Sequence, residues 1–184
     1  MEPIRHFKFC PSCGQPPAVE PAGRSFHCPS CGFVYYFNPA TAAAAFVVDA
    51  EGRALLIRRA KDPAKGKLAL PGGFVDVGET CEAALRRELR EEVNVELTAL
   101  EYLSSHPNFY PYKGVTYPVL DFFFVARARD AGAVAALDAV ESYCWLQPAA
   151  IDPEDIAFPS MKAALEVYLT RVSGQRPDPA KGLR

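Results

Sequence analysis

The stretch that decides the fold is residues 72–94, GGFVDVGETCEAALRRELREEVN. It opens on two glycines and then gathers five glutamates and three arginines in one run. Within it, Leu85, Leu89 and Val93 recur at i, i+4 and i+8, which predicts an amphipathic helix over residues 80–93. So much negative charge on one short helix calls for a compensating partner.

Three of the glutamates share one face of this predicted helix. Glu88, Glu91 and Glu92 are spaced by three and four residues, so neighbouring Cβ atoms lie about 5–6 Å apart. The group is either a solvated face balanced by the arginines or a ligand set for hard divalent cations such as Mg²⁺, which take carboxylates together with substrate phosphates. The helix alone favours the solvated face, and its sequence context reverses that preference.

The context is an ordered pattern, G-x5-E-x7-R-E-U-x-E-E-x-G-U, in which U is a bulky aliphatic residue. It is read here on Gly73, Glu79, Arg87, Glu88, Leu89, Glu91, Glu92, Asn94 and Val95. Eight of the nine specified positions match. The stretch therefore resembles the Nudix box, the signature of the Nudix hydrolases, and the resemblance covers about residues 41–172.

The resemblance implies an α/β fold, a Nudix α/β/α sandwich with a mixed sheet. It also implies metal ligands, which are the carboxylates of Glu88, Glu91 and Glu92 and the backbone carbonyl of Gly72. Glu88 is in addition the candidate general base, and Glu79 is expected to pair with Arg87 and hold the helix against the preceding loop. The implied cofactor is Mg²⁺ or Mn²⁺, which neutralises a pyrophosphate and orients water.

Two positions need separate treatment. Asn94 replaces the last glycine of the box, and because asparagine is the next choice after glycine for a left-handed helix end, we interpret it as a tolerated variation. A further carboxylate ligand often comes from outside the box. Glu141 is the candidate for it, and an ordinary surface residue is the alternative.

The segment before the box carries two CPSCG repeats. Cys10, Cys13, Cys28 and Cys31 form the spacing C-x2-C-x14-C-x2-C. Two such turns bring four thiolates around one ion, and a four-thiolate set with no open position predicts a structural Zn²⁺. The competing interpretation, a redox pair or unrelated buried cysteines, does not account for the doubled motif. The segment resembles a zinc ribbon.

A zinc ribbon before a Nudix box resembles the NADH pyrophosphatase branch of the family. That branch carries a motif SQPWPFPxS, and the corresponding residues 104–112 read SSHPNFYPY, with His106 and Asn108 where the branch has Gln and Trp. Phe109, Tyr110 and Tyr112 are candidates for stacking on a substrate base, or they pack a loop against itself. The expected reaction is hydrolysis of a pyrophosphate bond in a nucleoside diphosphate linked to another moiety, of the NADH, ADP-ribose or FAD type.

The order of elements follows from hydrophobic periodicity and turn signals. Strands are predicted at residues 33–37, 42–48, 54–59, 95–104, 115–127 and 142–146. A loop is predicted at residues 106–114, and a closing helix capped by Ser160 at residues 160–171. The predicted domains are a zinc ribbon over residues 1–38, a Nudix domain over residues 39–172 and a disordered tail over residues 173–184.

Net charge and the length of the apolar runs argue against nucleic acid and a membrane as partners. The 184 residues carry a net charge of -2, which gives no reason to expect nucleic acid as a partner. The longest apolar run, residues 42–48, is too short for a membrane span, and the first ten residues lack a signal-peptide core, so a cytoplasmic protein acting on a small-molecule nucleotide is expected. The resemblance is compatible with a homodimer.

One alternative of another class stays open, namely a non-catalytic Nudix-like sensor that binds a nucleotide sugar, with the ribbon contacting nucleic acid or protein. Such a module would be free to lose its metal carboxylates, and this chain retains them. Only one basic residue other than histidine, Arg24, lies between Cys10 and Phe37, whereas a ribbon that binds phosphates would carry more.

Overall fold

The computed structural model describes residues 2–17 and 23–174. Its contacts divide the chain into two compact units. The first unit comprises Met1–Ala40 and Phe109–Val119, and the second comprises Thr41–Asn108 and Leu120–Arg184. Of the tail predicted to be disordered, only residues 173 and 174 are described, and the rest lies outside the described residues.

The first unit contains a small antiparallel ribbon. Strand β1 (Ser25–His27) pairs with β2 (Val34–Tyr36), with Phe26 opposite Tyr35. Phe26 is buried with two of the cysteines, and three partly buried phenylalanines pack on this small core. So few apolar side chains supply little folding free energy, and a segment of this size needs a further source of stability such as a metal.

Most of the second unit is built on a seven-stranded sheet, and the ends of two of its strands, residues 109–112 and 115–119, are counted with the first unit. Its strands are β3 (Ala40–Val48), β4 (Ala54–Arg59), β5 (Leu68–Ala69), β6 (Gly72–Phe74), β7 (Leu97–Tyr112), β8 (Val115–Ala128) and β9 (Val140–Leu146), and its helices are α1 (Cys81–Val93) and α2 (Pro159–Val172). The strand order is β5-β4-β3-β8-β7, with β6 paired to β3 and β9 paired to β4.

The central strand β3 shows why this sheet has a helix on each face. Ala43, Ala45 and Val47 lie in one buried cluster, which includes Leu85, Leu89 and Val93 of α1. The alternate residues Ala44, Phe46 and Val48 lie in a second cluster, with Ala164, Leu165 and Tyr168 of α2. A strand covered on both faces is apolar throughout, which is how its sequence reads. The prediction of an α/β/α sandwich is confirmed.

Helix α1 begins one residue after its predicted start and ends at Val93 as predicted. The Thr80 hydroxyl accepts a hydrogen bond from the Ala83 N–H at 3.1 Å, which caps the first turn. At the other end, Asn94 adopts the left-handed conformation (φ 57°, ψ 37°), and its side-chain amide donates to the Ala133 carbonyl at 3.0 Å. Asparagine therefore takes the backbone role expected of it, and adds a tether to the following loop.

Two sequence predictions are wrong. The loop predicted at residues 106–114 is instead strand up to Tyr112, because a two-residue turn with positive φ at Lys113 (46°) and Gly114 (81°) connects β7 to β8 directly. Ser160 does not cap α2, because the helix begins at Pro159 and the Ser160 hydroxyl donates to Asp121 instead. Among the described residues, no helix combines the length and the apolar character that a bilayer crossing requires.

Candidate metal centres and active site

The four cysteines of the first unit converge. Their ligand atoms lie within 4.8 Å of one another, with Cys10 Sγ 3.7 Å from Cys31 Sγ and Cys13 Sγ 3.6 Å from Cys28 Sγ. Each pair sits in a tight turn whose glycine, in the left-handed region, donates its N–H back to the first cysteine of the turn. Four thiols on two such turns fit a tetrahedral zinc ion.

Two thiols of the ribbon are shifted in opposite directions. The backbone N–H of Cys31 is the main contributor that lowers the pKa of Cys28, to about 6, whereas the pKa of Cys13 is raised: the Gln15 N–H acts to lower it, and burial and the other thiols outweigh that effect. Because a thiol must lose its proton to bind zinc, the second turn favours the ligand form of Cys28 at neutral pH. Gly14 and Gly32 have φ of 73° and 76°, a conformation that a side chain would strain.

In the second unit, Arg87 and Glu79 form a two-pronged ion pair. Arg87 Nε donates to one Glu79 carboxylate oxygen at 3.0 Å, and Nη2 donates to the other at 2.9 Å. The Arg87 contact lowers the pKa of Glu79, so the carboxylate is charged at neutral pH. Arg87 Nη2 also donates to the Phe74 carbonyl at 3.1 Å. The pair therefore fastens α1 to the glycine-containing segment before it, as the resemblance implies.

Arg87 also contacts two of the candidate metal ligands. Its Nη1 donates to Glu88 Oε1 at 2.8 Å and to Glu91 Oε2 at 3.3 Å. These contacts draw one oxygen of each carboxylate toward the guanidinium and leave the other oxygen of each available. Glu91 is exposed, whereas Glu88 is half-buried.

The two glycines bring backbone against the carboxylates. A Cβ on Gly73 would collide with the Glu88 carboxyl carbon, and a Cβ on Gly72 would collide with the Ala43 carbonyl of β3. Gly72 also has φ of 140°, which side chains rarely adopt. Its N–H donates to Glu92 Oε2 at 2.9 Å. Any larger residue at either position would displace a candidate ligand or the strand beneath it.

Burial raises the pKa of two of these carboxylates, Glu92 and Glu88. Burial, followed by the negative charge of Glu88, raises the pKa of Glu92 to about 7, although the Gly72 N–H acts in the opposite direction. Burial likewise raises the pKa of Glu88, against the effect of Arg87. Carboxylate oxygens together with a backbone carbonyl are the donors that a hard divalent cation prefers, so these residues fit such an ion.

The carboxylates are not gathered as tightly as the thiols. Across residues 2–17 and 23–174, the four cysteines are the only group of three or more possible ligands close enough to hold a metal as they stand. Glu141 is exposed on β9, where the pairing with β4 shifts between Arg58 and Arg59. Its role as a further ligand stays a prediction.

One cation near the carboxylates was not singled out from the sequence. Burial raises the pKa of Glu92, and the positive charge of Arg59, the last residue of β4, partly opposes that rise. Its Nε donates to the Pro63 carbonyl at 2.8 Å, and its guanidinium lies 5.0 Å from the centroid of the Phe158 ring. The sequence signal was an arginine ending a buried strand, which is ambiguous until Phe158, far along the chain, is placed beside it.

The three aromatic residues proposed for substrate stacking belong to the first unit. Phe109 is 71% exposed and Tyr112 is 47% exposed, and the Lys113 ammonium lies 5.2 Å from the Tyr112 ring centroid. Tyr110 is half-buried, with its ring centroid 6.5 Å from that of Tyr112. Their role in stacking on a substrate base stays a prediction.

Two family profiles match the chain, each over a different part of it. The NUDIX domain profile matches residues 38–166, and the profile of the NADH pyrophosphatase zinc ribbon domain matches residues 5–36. Among solved structures, a NUDIX hydrolase from Nitrosomonas europaea is 26% identical with a TM-score of 0.67, covering 91% of this chain and 94% of that one.

Curated relatives carry names from one branch of this family. The NAD-capped RNA hydrolase NudC of Pseudomonas aeruginosa is 30% identical over 92% of this chain. The human mitochondrial NAD(P)H pyrophosphatase NUDT13 is 40% identical over 53% of this chain, and 27% of that protein is covered. The chain spans only 58% of the length of the Pseudomonas relative. On the match to the NUDIX domain over most of its length, the chain belongs to the NUDIX family, with an NADH pyrophosphatase-type zinc ribbon at its start.

Proposed function

We propose that the protein hydrolyses a pyrophosphate bond in a nucleoside diphosphate linked to another moiety, with NADH, ADP-ribose and FAD as the substrate types. The observation that carries the proposal is the arrangement around Arg87. This residue fastens Glu79 and contacts Glu88 and Glu91, while the Gly72 N–H holds Glu92. The alternative of a sensor without catalysis has no such reason to keep four box glutamates in place.

The proposed roles follow from position. Glu88, Glu91 and Glu92 would hold Mg²⁺ or Mn²⁺ together with the Gly72 carbonyl, and the ion, when bound, would neutralise the diphosphate and lower the barrier to attack by water. Glu88 is the proposed general base, since it is half-buried and burial raises its pKa toward the range useful for proton transfer. Arg87 and Glu79 keep the helix in register with the glycines.

Arg59 is the proposed contact for a substrate phosphate. Its Nε is engaged by Pro63, so the two terminal nitrogens of the guanidinium point their donors away from that bond. A planar guanidinium held over an aromatic ring is pre-organised for two-pronged contact with a phosphate. The placement near Glu92 puts this positive charge on the side of the proposed metal ligands.

The relatives' names widen the substrate panel. The NudC relatives are named for NAD-capped RNA, which stands against the expectation from composition that nucleic acid is no partner. An NAD-type diphosphate is common to both substrates, so the same chemistry serves a free dinucleotide or the capped end of RNA. We propose the free small-molecule nucleotide as the substrate and treat capped RNA as the competing outcome. The four-cysteine zinc is proposed as structural in either case.

The test is a substrate panel with product analysis. Purified protein with Mg²⁺ or Mn²⁺ is incubated with NADH, NAD⁺, ADP-ribose, FAD and a short NAD-capped RNA, and products are separated to identify the bond cleaved. We expect a nucleoside monophosphate from at least one small-molecule substrate. Glu92→Gln should lose the activity, whereas Glu82→Gln, an exposed glutamate in the first turn of α1, should keep it.

The outcomes separate the alternatives. Cleavage of capped RNA alone would replace the small-molecule substrate by RNA. An absence of hydrolysis across the panel, with Glu92→Gln and wild type indistinguishable, would remove the enzyme proposal in favour of a sensor. The expected domain boundaries and a homodimer are tested beside it, by limited proteolysis and by light scattering.

A further inference from the structure

A buried carboxyl group on β8 takes no part in the proposed chemistry. Asp121 is only 8% exposed, and burial raises its pKa. The Ser160 hydroxyl donates to Asp121 Oδ2 at 2.5 Å, and the Asn108 side chain makes a second hydrogen bond to the carboxyl. A buried polar group costs free energy unless it is fully bonded, so this cluster calls for an account of what it fastens.

What it fastens is the start of α2. Ser160 is the second residue of the helix, after Pro159, and the side chain of the N-cap residue Phe158 does not cap the helix. A carboxylate close to the first turn also interacts favourably with the exposed N–H groups there. The Ser160–Asp121 contact therefore substitutes for a cap and ties the first turn to β8.

The same turn carries the ring that holds Arg59. Phe158 lies under the Arg59 guanidinium, 5.0 Å from its central carbon to the ring centroid. Just before it, the Ala157 N–H donates to the Leu68 carbonyl at 2.8 Å. Phe158 is thus held between a backbone tether on one side and the Ser160–Asp121 tether on the other. Only the second depends on side chains.

We propose that Asp121 is a positioning residue for the hydrolysis: through Ser160 it fixes the first turn of α2, and with it the Phe158 ring that aims Arg59 at the substrate diphosphate. The proposal rests on the proposed function for the role of Arg59. The contacts from Asp121 to Arg59 form a physical chain that can be tested without turnover. Loss of Asp121 leaves the Ser160 hydroxyl and the Asn108 amide without their acceptor, so the turn is released.

The first experiment is a double-mutant cycle in kcat/KM on the substrate identified by the panel. We expect Asp121→Ala to lower kcat/KM about tenfold in the otherwise wild-type protein, and less than about twofold when Arg59→Ala is already present. A purely structural role for Asp121 predicts the same loss in both backgrounds and overturns the proposal. Ser160→Ala removes only the donor and serves where Asp121→Ala does not fold.

A matched control is another buried carboxylate, whose side-chain hydrogen bonds stay within its own turn and do not reach α2. Asp49 is 7% exposed and accepts from Arg53 and from the Glu51 N–H in the turn between β3 and β4. Asp49→Ala should lower the unfolding temperature without changing kcat/KM by more than about twofold. An equal loss of kcat/KM in the control would show that the assay reports stability and would overturn the proposal.

The second experiment does not need activity. The Arg59 Nε–Hε group gives its own signal in a ¹⁵N–¹H spectrum, and Arg59→Lys assigns it. We expect the signal to be protected from solvent exchange in the wild type, at least about fivefold less protected in Asp121→Ala, and restored in Asp121→Asn, whose side-chain oxygen still accepts from Ser160. An unchanged signal in Asp121→Ala overturns the positioning role, whereas an inactive wild type with the expected signal changes overturns only the proposed function.

Discussion

The two ligand groups of this protein are prepared to different degrees. The four thiols of the ribbon already lie within 4.8 Å of one another, close enough to bind one ion. The carboxylates of α1 are instead distributed, two of them on Arg87 and one on the Gly72 N–H. A structural metal needs a closed, fixed set of ligands, whereas a catalytic one must leave room for substrate and water.

The difference lies in what surrounds each ligand. Each CxxC pair is set by a turn of five residues that ends at a glycine, so its geometry is local. The glutamates depend on a helix, on an ion pair eight residues apart and on a strand pairing with β3. Loss of one zinc ligand is therefore expected to unfold the whole ribbon. Loss of one contact in the Nudix box is expected to reduce activity only in part.

The largest expected effect is removal of a zinc ligand. Cys28→Ser should abolish zinc binding, whose free energy in such small modules is about 10 kcal/mol or more. Bound zinc measured by mass spectrometry should fall to background, and the ribbon signals in an NMR spectrum should collapse to random-coil positions. Cys144→Ser, in β9, is the matched control, and retention of zinc by Cys28→Ser would contradict the four-thiol site.

The second largest effect is expected from an added methyl group at the first glycine of the Nudix box, Gly73. Gly73→Ala places a Cβ against the Glu88 carboxyl, so kcat should fall about a hundredfold on the substrate identified by the panel. The control is Gly132→Ala, where φ is not positive and the added Cβ meets only the Asp130 side chain at 3.2 Å. Equal activity in the two variants would remove the idea that the glycine makes room for Glu88.

The pH dependence separates the box from a solvated acidic face. Since burial raises the pKa of folded Glu92 to about 7, its protonated form is favoured on folding. Its contribution to stability is therefore fully present below its unfolded pKa near 4.5 and is lost as pH rises to about 7, a change of about 3 kcal/mol. The unfolding temperature of protein dialysed free of Mg²⁺ and Mn²⁺ measures it.

Glu92→Gln supplies the comparison for that measurement. The variant cannot titrate at this position, so the difference in stability between it and wild type should grow as pH rises from about 5 to about 7. Added Mg²⁺ should reverse the trend in wild type alone, because the ion stabilises the charged carboxylate. A difference that does not vary with pH would place Glu92 in an ordinary solvated environment.

The smallest expected effect concerns Arg87. Arg87→Lys keeps the charge and loses the two-pronged bond to Glu79, so the free energy of unfolding should fall by about 1–3 kcal/mol. Chemical denaturation measures the loss, and Arg90→Lys, on an exposed part of the same helix, should change stability by less than about 0.5 kcal/mol. Similar values for the two variants would mean that Arg87 is a surface arginine like its neighbour.

Local patterns were predictable from the sequence. The cysteine turns, the helix with its Thr80 cap and the left-handed Asn94 each depend on residues within a few positions of one another. Features set by distant residues were not. Arg59 and Phe158 are 99 positions apart in the sequence. Ser160 was interpreted as a helix cap because its actual partner, Asp121, lies 39 residues earlier on a strand and could not be inferred from the local sequence.

The hairpin shows a different limit. Prolines at 107 and 111 with several aromatics looked like a loop, yet proline is tolerated in strands wherever its missing N–H is not needed. The deciding signal was the short Lys113-Gly114 turn, which the alternating aromatics before it obscured. Pattern alone could not choose between the two, because the choice depends on which side of the strand faces a partner.

The pairing of β6 with β3 ties the proposed active site to the correct assembly of the sheet. Gly72 and Gly73 lie opposite Ala44 and Ala43, residues that belong to opposite core clusters. A slip of one residue in this pairing would turn each β6 residue to the opposite face of the sheet and move the glycines away from Glu88 and Glu92 at the same time. A refolding chain therefore brings the glycines back against Glu88 and Glu92 only after β6 and β3 have paired in the native register. The recovery of activity during refolding would report when that pairing forms.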